Sequence, residues 1–512
     1  MAAQRARGAG PGASHAFPRA VRCRRRTNWV LALLLLVTAA AAAMIGTIAT
    51  AAPAAAHATV ESTQPAQGER LPVAPPAVTV TFSTDVAARL SEVRVTDPRG
   101  RRVDLGPVTH PAARPEVLSV RIRSGLPTGS YLVTFSTVSA DSHTVTGSFA
   151  FSVGAGPSLT AAGAVSDDTG GDPVVGVLVA VTRWGGFVGL ALMTGLVLVA
   201  VTGGQGLDGA RVRWLVVTGC GLSAAAAVAA FLLHGPHSTG EGLAGALSQD
   251  FLAATWGTPY GRLLALRVVA VAGFAIVALK ILRGHDVPEP VRFRHENIAM
   301  GAGLAIAVSF AGTGHAASDS VPLVSLLGTL AHLTAMAVWL GGLAVLGVAL
   351  LPSAAHRDAV RPVRTFSTIA AWCIGVLVGT GGCLAWRSLG SAEALWSTSY
   401  GRLLTVKLLL VAAVLVVAQG ARRTVRRHWL PAPATADPAI PRPGGGTLQT
   451  VGSITAPARP APMGALRRAV AAELLIALVV LAVTAVLLSR PPAATKPQAG
   501  APGTCCETLS VR

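Results

Sequence analysis

The sequence predicts a small all-β Greek-key sandwich or barrel followed by an α-helical polytopic membrane domain of about eight spans. Three observations carry this. The chain of 512 residues is 52% hydrophobic and only 13% charged, with a mean hydropathy of +0.57, too apolar and charge-poor for an ordinary soluble protein. From residue 57 to 153 the pattern is one of short alternating segments broken by Pro and Gly. Beyond Val174 come repeated apolar runs, each near the roughly 20 residues needed to span a bilayer. A net charge of +19 raises the possibility of nucleic-acid binding, which requires basic residues clustered on one folded face with stacking aromatics. That clustering is missing, so no nucleic-acid partner is expected; the partner implied is the lipid bilayer.

The N-terminal 56 residues read as an export signal. Arg22, Arg24, Arg25 and Arg26 precede the apolar run Trp29 to Val37 and an Ala-rich stretch ending at Ala56. Cleavage there makes His57 the first residue; an uncleaved anchor helix is the alternative. In the β-region (57–153), strands are expected at 78–82, 92–96, 117–122, 131–137 and 148–153, with turns at Pro98-Arg99-Gly100, Pro107, Pro127-Thr128-Gly129 and Gly147. The expected form is cupredoxin-like or immunoglobulin-like. No cysteine lies in this region, so it has neither a disulfide nor a thiolate site. Residues 154–173 form a linker rich in Gly, Ser and Thr.

Spans are expected near 174–202, 212–234, 263–283, 297–314, 323–351, 366–387, 403–421 and 467–489. With the β-domain outside, the inward loops hold most of the arginines, including Arg211, Arg213, Arg283, Arg292, Arg294, Arg357, Arg361, Arg364, Arg422, Arg423, Arg426 and Arg427, while the outward loops hold Arg262, Arg387 and Arg402. This asymmetry follows the positive-inside rule and predicts a plasma-membrane protein with its β-domain extracytoplasmic. Residues 430–462 are expected to be a disordered cytoplasmic insert, and 490–512 an extracytoplasmic tail whose Cys505-Cys506 pair has no evident role. An internal repeat is visible: Thr258-Pro-Tyr260-Gly261-Arg262-Leu263-Leu264 with Arg267 echoes Thr398-Ser-Tyr400-Gly401-Arg402-Leu403-Leu404 with Lys407. It reads either as a pair of headgroup anchors or as matching outer-face elements around a shared pathway.

A free His57 offers a terminal amine and an imidazole in one residue, a chelating pair of nitrogen donors suited to tetragonal Cu(II). Asp141-Ser142-His143 lies just before the last expected strand, and alternation puts Asp141 and His143 on the same side. Taken singly, each has a plainer reading: a residue after a cleavage site, a turn former and a surface histidine.

At these residues the chain resembles a known family. The initial His57-Ala58, the strand from Val78 to Ser83, and Asp141-Ser142-His143-Thr-Val-Thr-Gly147-Ser148-Phe149-Ala-Phe151-Ser-Val153 resemble the CopC copper-binding domain. The resemblance implies a Cu(II) site of His57, Asp141 and His143. Some family members add a Met-rich Cu(I) site, and the absence of Met from this region implies that this chain does not. The membrane part is similar to CopD through Gly314-His315-Ala316-Ala317, Ala331-His332 to Met336, Trp339-Leu-Gly341-Gly342, Phe366-Ser367 and Tyr400 to Lys407. The whole resembles a CopC–CopD fusion.

Ionisable residues within spans are functional candidates by default. His332 and Met336 lie one turn apart on one face, a pairing suited to copper and to Cu(I) in particular. His234, His237 and His315 fall at outer ends of spans. His234, His315, His332 and Met336 therefore form a candidate copper relay, each also open to a structural reading. Glu473 is either buried or paired with Arg467 or Arg468. The function expected is Cu(II) capture by the β-domain with copper import or homeostasis through the bundle, without catalytic turnover, and with an extracytoplasmic copper chaperone or donor as a candidate partner. The rivals are a copper reductase or haem-binding electron-transfer protein, a His-first copper monooxygenase, and a structural membrane anchor. The few β-region aromatics fall mostly at buried strand positions, which disfavours the monooxygenase.

Overall fold

The computed structural model describes residues 58, 60–139, 144–154, 172–202, 207–240, 242–283, 288–313, 322–352, 356–428 and 463–490. The expected signal, most of the linker, the 430–462 insert and the tail beyond residue 490 lie outside them.

The N-terminal part is a sandwich of two four-stranded sheets. Strands β1 (Val60–Gln64), β3 (Ala77–Phe82), β6 (Val117–Ile122) and β5 (Asp104–Thr109) make one sheet, in that order. The other runs β2 (Arg70–Leu71), β8 (Thr144–Val153), β7 (Gly129–Val138) and β4 (Glu92–Thr96). Alternation of the kind seen in β3, where Val78, Val80 and Phe82 are buried between half-buried neighbours, supplies the inner faces. All five expected strands are present. β1, β2 and β5 are additions: β2 is two residues long, and β1 and β5 lie at sheet edges with mostly exposed residues, so none carries a clear apolar alternation.

Eight long helices follow among the described residues: α1 (Pro173–Thr194, continued by α2, Leu196–Thr202), α3 (Gly209–Thr239), α5 (Pro259–Arg283), α6 (Glu289–Gly312), α7 (Pro322–Val345, continued by a π-turn at Leu346–Leu350), α8 (His356–Leu389), α10 (Ser399–His428) and α11 (Met463–Leu487). Short helices α4 (Gln249–Gly257) and α9 (Ala394–Ser397) precede α5 and α10. Seven of the eight are long and apolar enough to cross a membrane. The exception is α6. Helix α6 occupies the place of the 297–314 span, but Arg292, Arg294, His295 and Glu296 make its first two turns polar and shorten the apolar part.

The helices fall into two repeats, α1-α3-α5-α6 and α7-α8-α10-α11, each with a short helix before its third long member. Helix α11 closes back on α1, α6 packs on α7, and α1 crosses α7 between the repeats. The sequence repeat marks equivalent corners. Thr258 Oγ1 accepts from the Gly261 amide at 3.0 Å, and Thr398 Oγ1 from the Gly401 amide at 2.9 Å. A Cβ at either glycine would collide with a backbone carbonyl, of Thr255 or of Ala394, which accounts for glycine in both copies.

The crossing of α1 and α7 is backbone against backbone. A Cβ on Gly341 would meet the Ala191 carbonyl and the Gly195 nitrogen, and Thr194 Oγ1 donates to the Ala337 carbonyl at 2.7 Å. Gly341→Ala should therefore destabilise the bundle by about 1–3 kcal/mol, as overpacking does. Gly375→Ala, where a Cβ meets nothing within 4 Å, should be neutral or slightly stabilising through helix propensity. Thermal unfolding of the detergent-solubilised protein compares the two; equal midpoints would show that the crossing tolerates a wider separation.

Candidate metal centres

His57, Asp141, His143 and His315 lie outside the described residues, so their side-chain positions are not given by the structure. The flanking elements are. Ala58, 3% exposed, is packed into the sandwich core, and β1 begins two residues later with Val60 paired to Phe82. Strands β7 and β8 close at the pair Val138 and Thr144, and Ser139 makes a bridge to Val86. A line of contacts joins these flanks. Gly147 pairs with Phe135, whose ring covers it so closely that a Cβ would not fit. The Phe135 ring meets Phe82 edge to face at 5.8 Å. The chain leaving residue 58 and the β7–β8 connection therefore leave from the same end of the sandwich. Gly147, expected at a turn, lies instead inside β8, as Pro107 lies inside β5: the missing side chain at Gly147 makes room for the Phe135 ring of the adjacent strand and does not break the ladder. His110 is no competing ligand, since Nδ1 bonds the Val117 carbonyl at 2.8 Å and Nε2 accepts from the Ala88 amide at 3.4 Å.

The same end of the sandwich meets the bundle. Ser136 Oγ donates to the Ser238 carbonyl at 2.5 Å, near the end of α3, and the single turn Ala88–Leu90 packs on α4. One turn below Ser238 is His234, 8% exposed, with its ring stacked on Tyr260 at 4.5 Å. Its Nε2 is buried without a hydrogen-bond partner among the described residues. Leaving such a group unpaired costs about 1–3 kcal/mol, so a ligand for it is physically motivated. His237, half-buried, and Arg183 of α1 lie within electrostatic range of His234.

His332 lies further along the bundle in the second repeat. Its Nδ1 is 2.9 Å from Thr380 Oγ1 of α8, whose hydroxyl lies 2.6 Å from the Val376 carbonyl. Donation by Thr380 to that carbonyl leaves its oxygen to accept from Nδ1–H, which frees Nε2 as a donor atom for a metal. Met336 is half-buried and packs against the bundle core one turn on. Lys407, the second-repeat counterpart of Arg267, lies within electrostatic range of His332. Arg267 itself is fully engaged, donating to Ser309 and Thr313 and lying 3.6 Å above the Phe310 ring. The structure does not gather the relay candidates into one cluster: His234 packs within the first repeat and His332 within the second, and no group of three or more His, Cys, Asp or Glu meets among the described residues. Glu473 is buried; of its two expected partners, Arg467 instead donates to the Leu351 carbonyl and Arg468 is exposed. Thr380 escaped the sequence reading, and Tyr260 was read only as part of the repeat, because a threonine or tyrosine on a distant helix carries no mark of which histidine it will meet.

A β-sandwich followed by a helical bundle, seven of whose helices are long and apolar enough to cross a membrane, defines the class of a polytopic membrane protein with an appended β-domain. The CopC domain matches residues 60–154, the copper resistance protein D-like N-terminal domain residues 172–324, and copper resistance protein D residues 360–487. The chain belongs to the CopC–CopD family of copper-resistance and copper-transport proteins. It is similar to copper transport protein CutJ of Bacillus subtilis, with 26% identity over 429 residues, covering 79% of this chain and 75% of that one. Over 98 residues it is 31% identical to protein YobA of Escherichia coli, covering 19% of this chain and 79% of YobA. Among solved structures, CopC from Methylosinus trichosporium OB3b matches at 27% identity with a TM-score of 0.18, covering 19% of this chain and 93% of that one.

Proposed function

We propose that the β-domain captures Cu(II) outside the plasma membrane through His57, Asp141 and His143, and that the bundle imports copper by way of His234 and the His332–Met336 pair. The observation that carries this reading is the placement of the Ser136–Ser238 contact. It joins the end of the sandwich from which the ligand-bearing segments emerge to the helix that carries His234 and its unpaired Nε2. Copper released from the β-domain is thereby delivered at the end of α3, a turn from His234.

Lys407 lies within electrostatic range of His332, and a positive charge there would oppose lasting residence of a cation, as suits a transit site, where binding must be weak enough to release. The bilayer orientation belongs to this proposal and rests on the arginine asymmetry. So does the absence of turnover, for which the scarcity of exposed aromatics on the β-domain is the support.

The test is cellular copper content, measured in a strain lacking the protein and in one expressing it, at limiting external copper. Import predicts higher content with the protein. Lower content would reverse the direction, and equal content would remove transport from the reading.

A further inference from the structure

On α7 the residues His332, Met336, Trp339, Leu343 and Leu346 recur at helical spacing and form one stripe. The first two are the relay pair. The last three line a cavity of about 730 Å³ at the end of the bundle away from the β-domain, walled on the other side by Phe366 of α8 and Glu473 of α11. The stripe thus runs from the candidate relay into a chamber whose wall is otherwise largely apolar.

Glu473 is 4% exposed. No hydrogen bond or ion pair reaches its carboxyl among the described residues, although an isolated carboxylate in an apolar wall is very costly. The charged groups that face it are few. Arg467 on its own helix is turned away to the Leu351 carbonyl, and Arg422 and Arg423 of α10 line the chamber without pairing with it. Helices α7 and α8 contribute no titratable side chain to the lining, their polar member being Ser367. A carboxyl so placed is neutralised by whatever small cation is present, a proton or a metal ion, and the two compete for the same oxygens.

We infer that Glu473 is a cation-exchange site in the far half of the pathway, holding a proton when the chamber is empty and releasing it to the water at that end when copper arrives. The inference rests on the import reading and adds proton exchange to it. The proton lost from the carboxyl balances one positive charge of the entering ion. The two arginines oppose accumulation of cations in the chamber and favour onward release.

The full chain reconstituted in vesicles, with the β-domain outward and copper supplied outside, tests both parts. In the wild type, copper entry measured by mass spectrometry of the vesicle contents should change several-fold between an acidic and an alkaline interior. Glu473→Gln should lose that dependence, and Glu473→Asp should keep it. Correct folding of the bundle in each variant is checked by an unchanged thermal unfolding midpoint of the detergent-solubilised protein. Equal pH dependence in wild type and Glu473→Gln would overturn the inference and leave the import reading standing. If the wild type moves no copper, the import reading fails, and infrared titration of the copper-free protein decides the exchange site alone. A protonated-carboxyl band that titrates with pH and is missing from Glu473→Gln would support it, and its absence from the wild type would overturn it.

Discussion

Adding one alanine before His57 in the mature chain is expected to weaken Cu(II) binding by at least about tenfold, equivalent to roughly 1.4 kcal/mol. The added residue keeps the imidazole but converts the terminal amine into an amide nitrogen, a poor donor unless deprotonated, so the chelate loses one anchored atom. The β-sandwich itself should be unaffected, because the insertion precedes the strands and the packing of Ala58 into the core does not depend on it. Competition against a chelator of known affinity measures the difference, after mass spectrometry confirms each N-terminus. Binding should also fall as pH drops in both forms, since amine and imidazole coordinate only when deprotonated. Equal affinities would show that the terminal amine is not a ligand, and the proposed set would lose its most specific member.

His332→Ala is expected to abolish most copper accumulation while leaving Cu(II) binding by the β-domain intact. The variant removes the imidazole and frees Thr380, whose hydroxyl still has the Val376 carbonyl as acceptor, so the local structural cost is modest. Gly381, which lies 3.2 Å from the His332 ring when given a Cβ, leaves room for the helices to settle. Copper content of cells, with membrane insertion checked by immunoblotting, measures the effect. Wild-type accumulation would assign His332 to helix packing. Thr380→Val separates orientation from ligation: it keeps the ring but loses its hydrogen bond, and an intermediate loss is expected.

Much of the fold was legible because both domains are written in strong periodicities. Val78, Val80 and Phe82 alternate as a half-buried strand must, and the apolar runs after Val174 match the thickness of a bilayer. The Thr-x-Tyr-Gly-Arg repeat was legible as a repeat, and its role was not. In the structure it is a capping turn in both copies, with a tyrosine that in the first copy serves His234. Edge strands and a polar helix start were missed because exposed residues follow no burial pattern, as in β5 and the first turns of α6.

By itself the sequence determined the two-domain order, the apolar spans and the identities of the candidate ligands, since composition, period and donor chemistry belong to each residue and its near neighbours. Only the tertiary structure decided which of these residues meet. Ser136 reaches Ser238, Thr380 reaches His332, and Arg467 turns from Glu473 to the Leu351 carbonyl. The physical reason is that a side chain's partner across a bundle or between sheets is selected by packing. Glycines such as Gly341 and Gly147 set how closely two backbones, or a strand and a ring, approach, and that distance fixes which distant groups share a space.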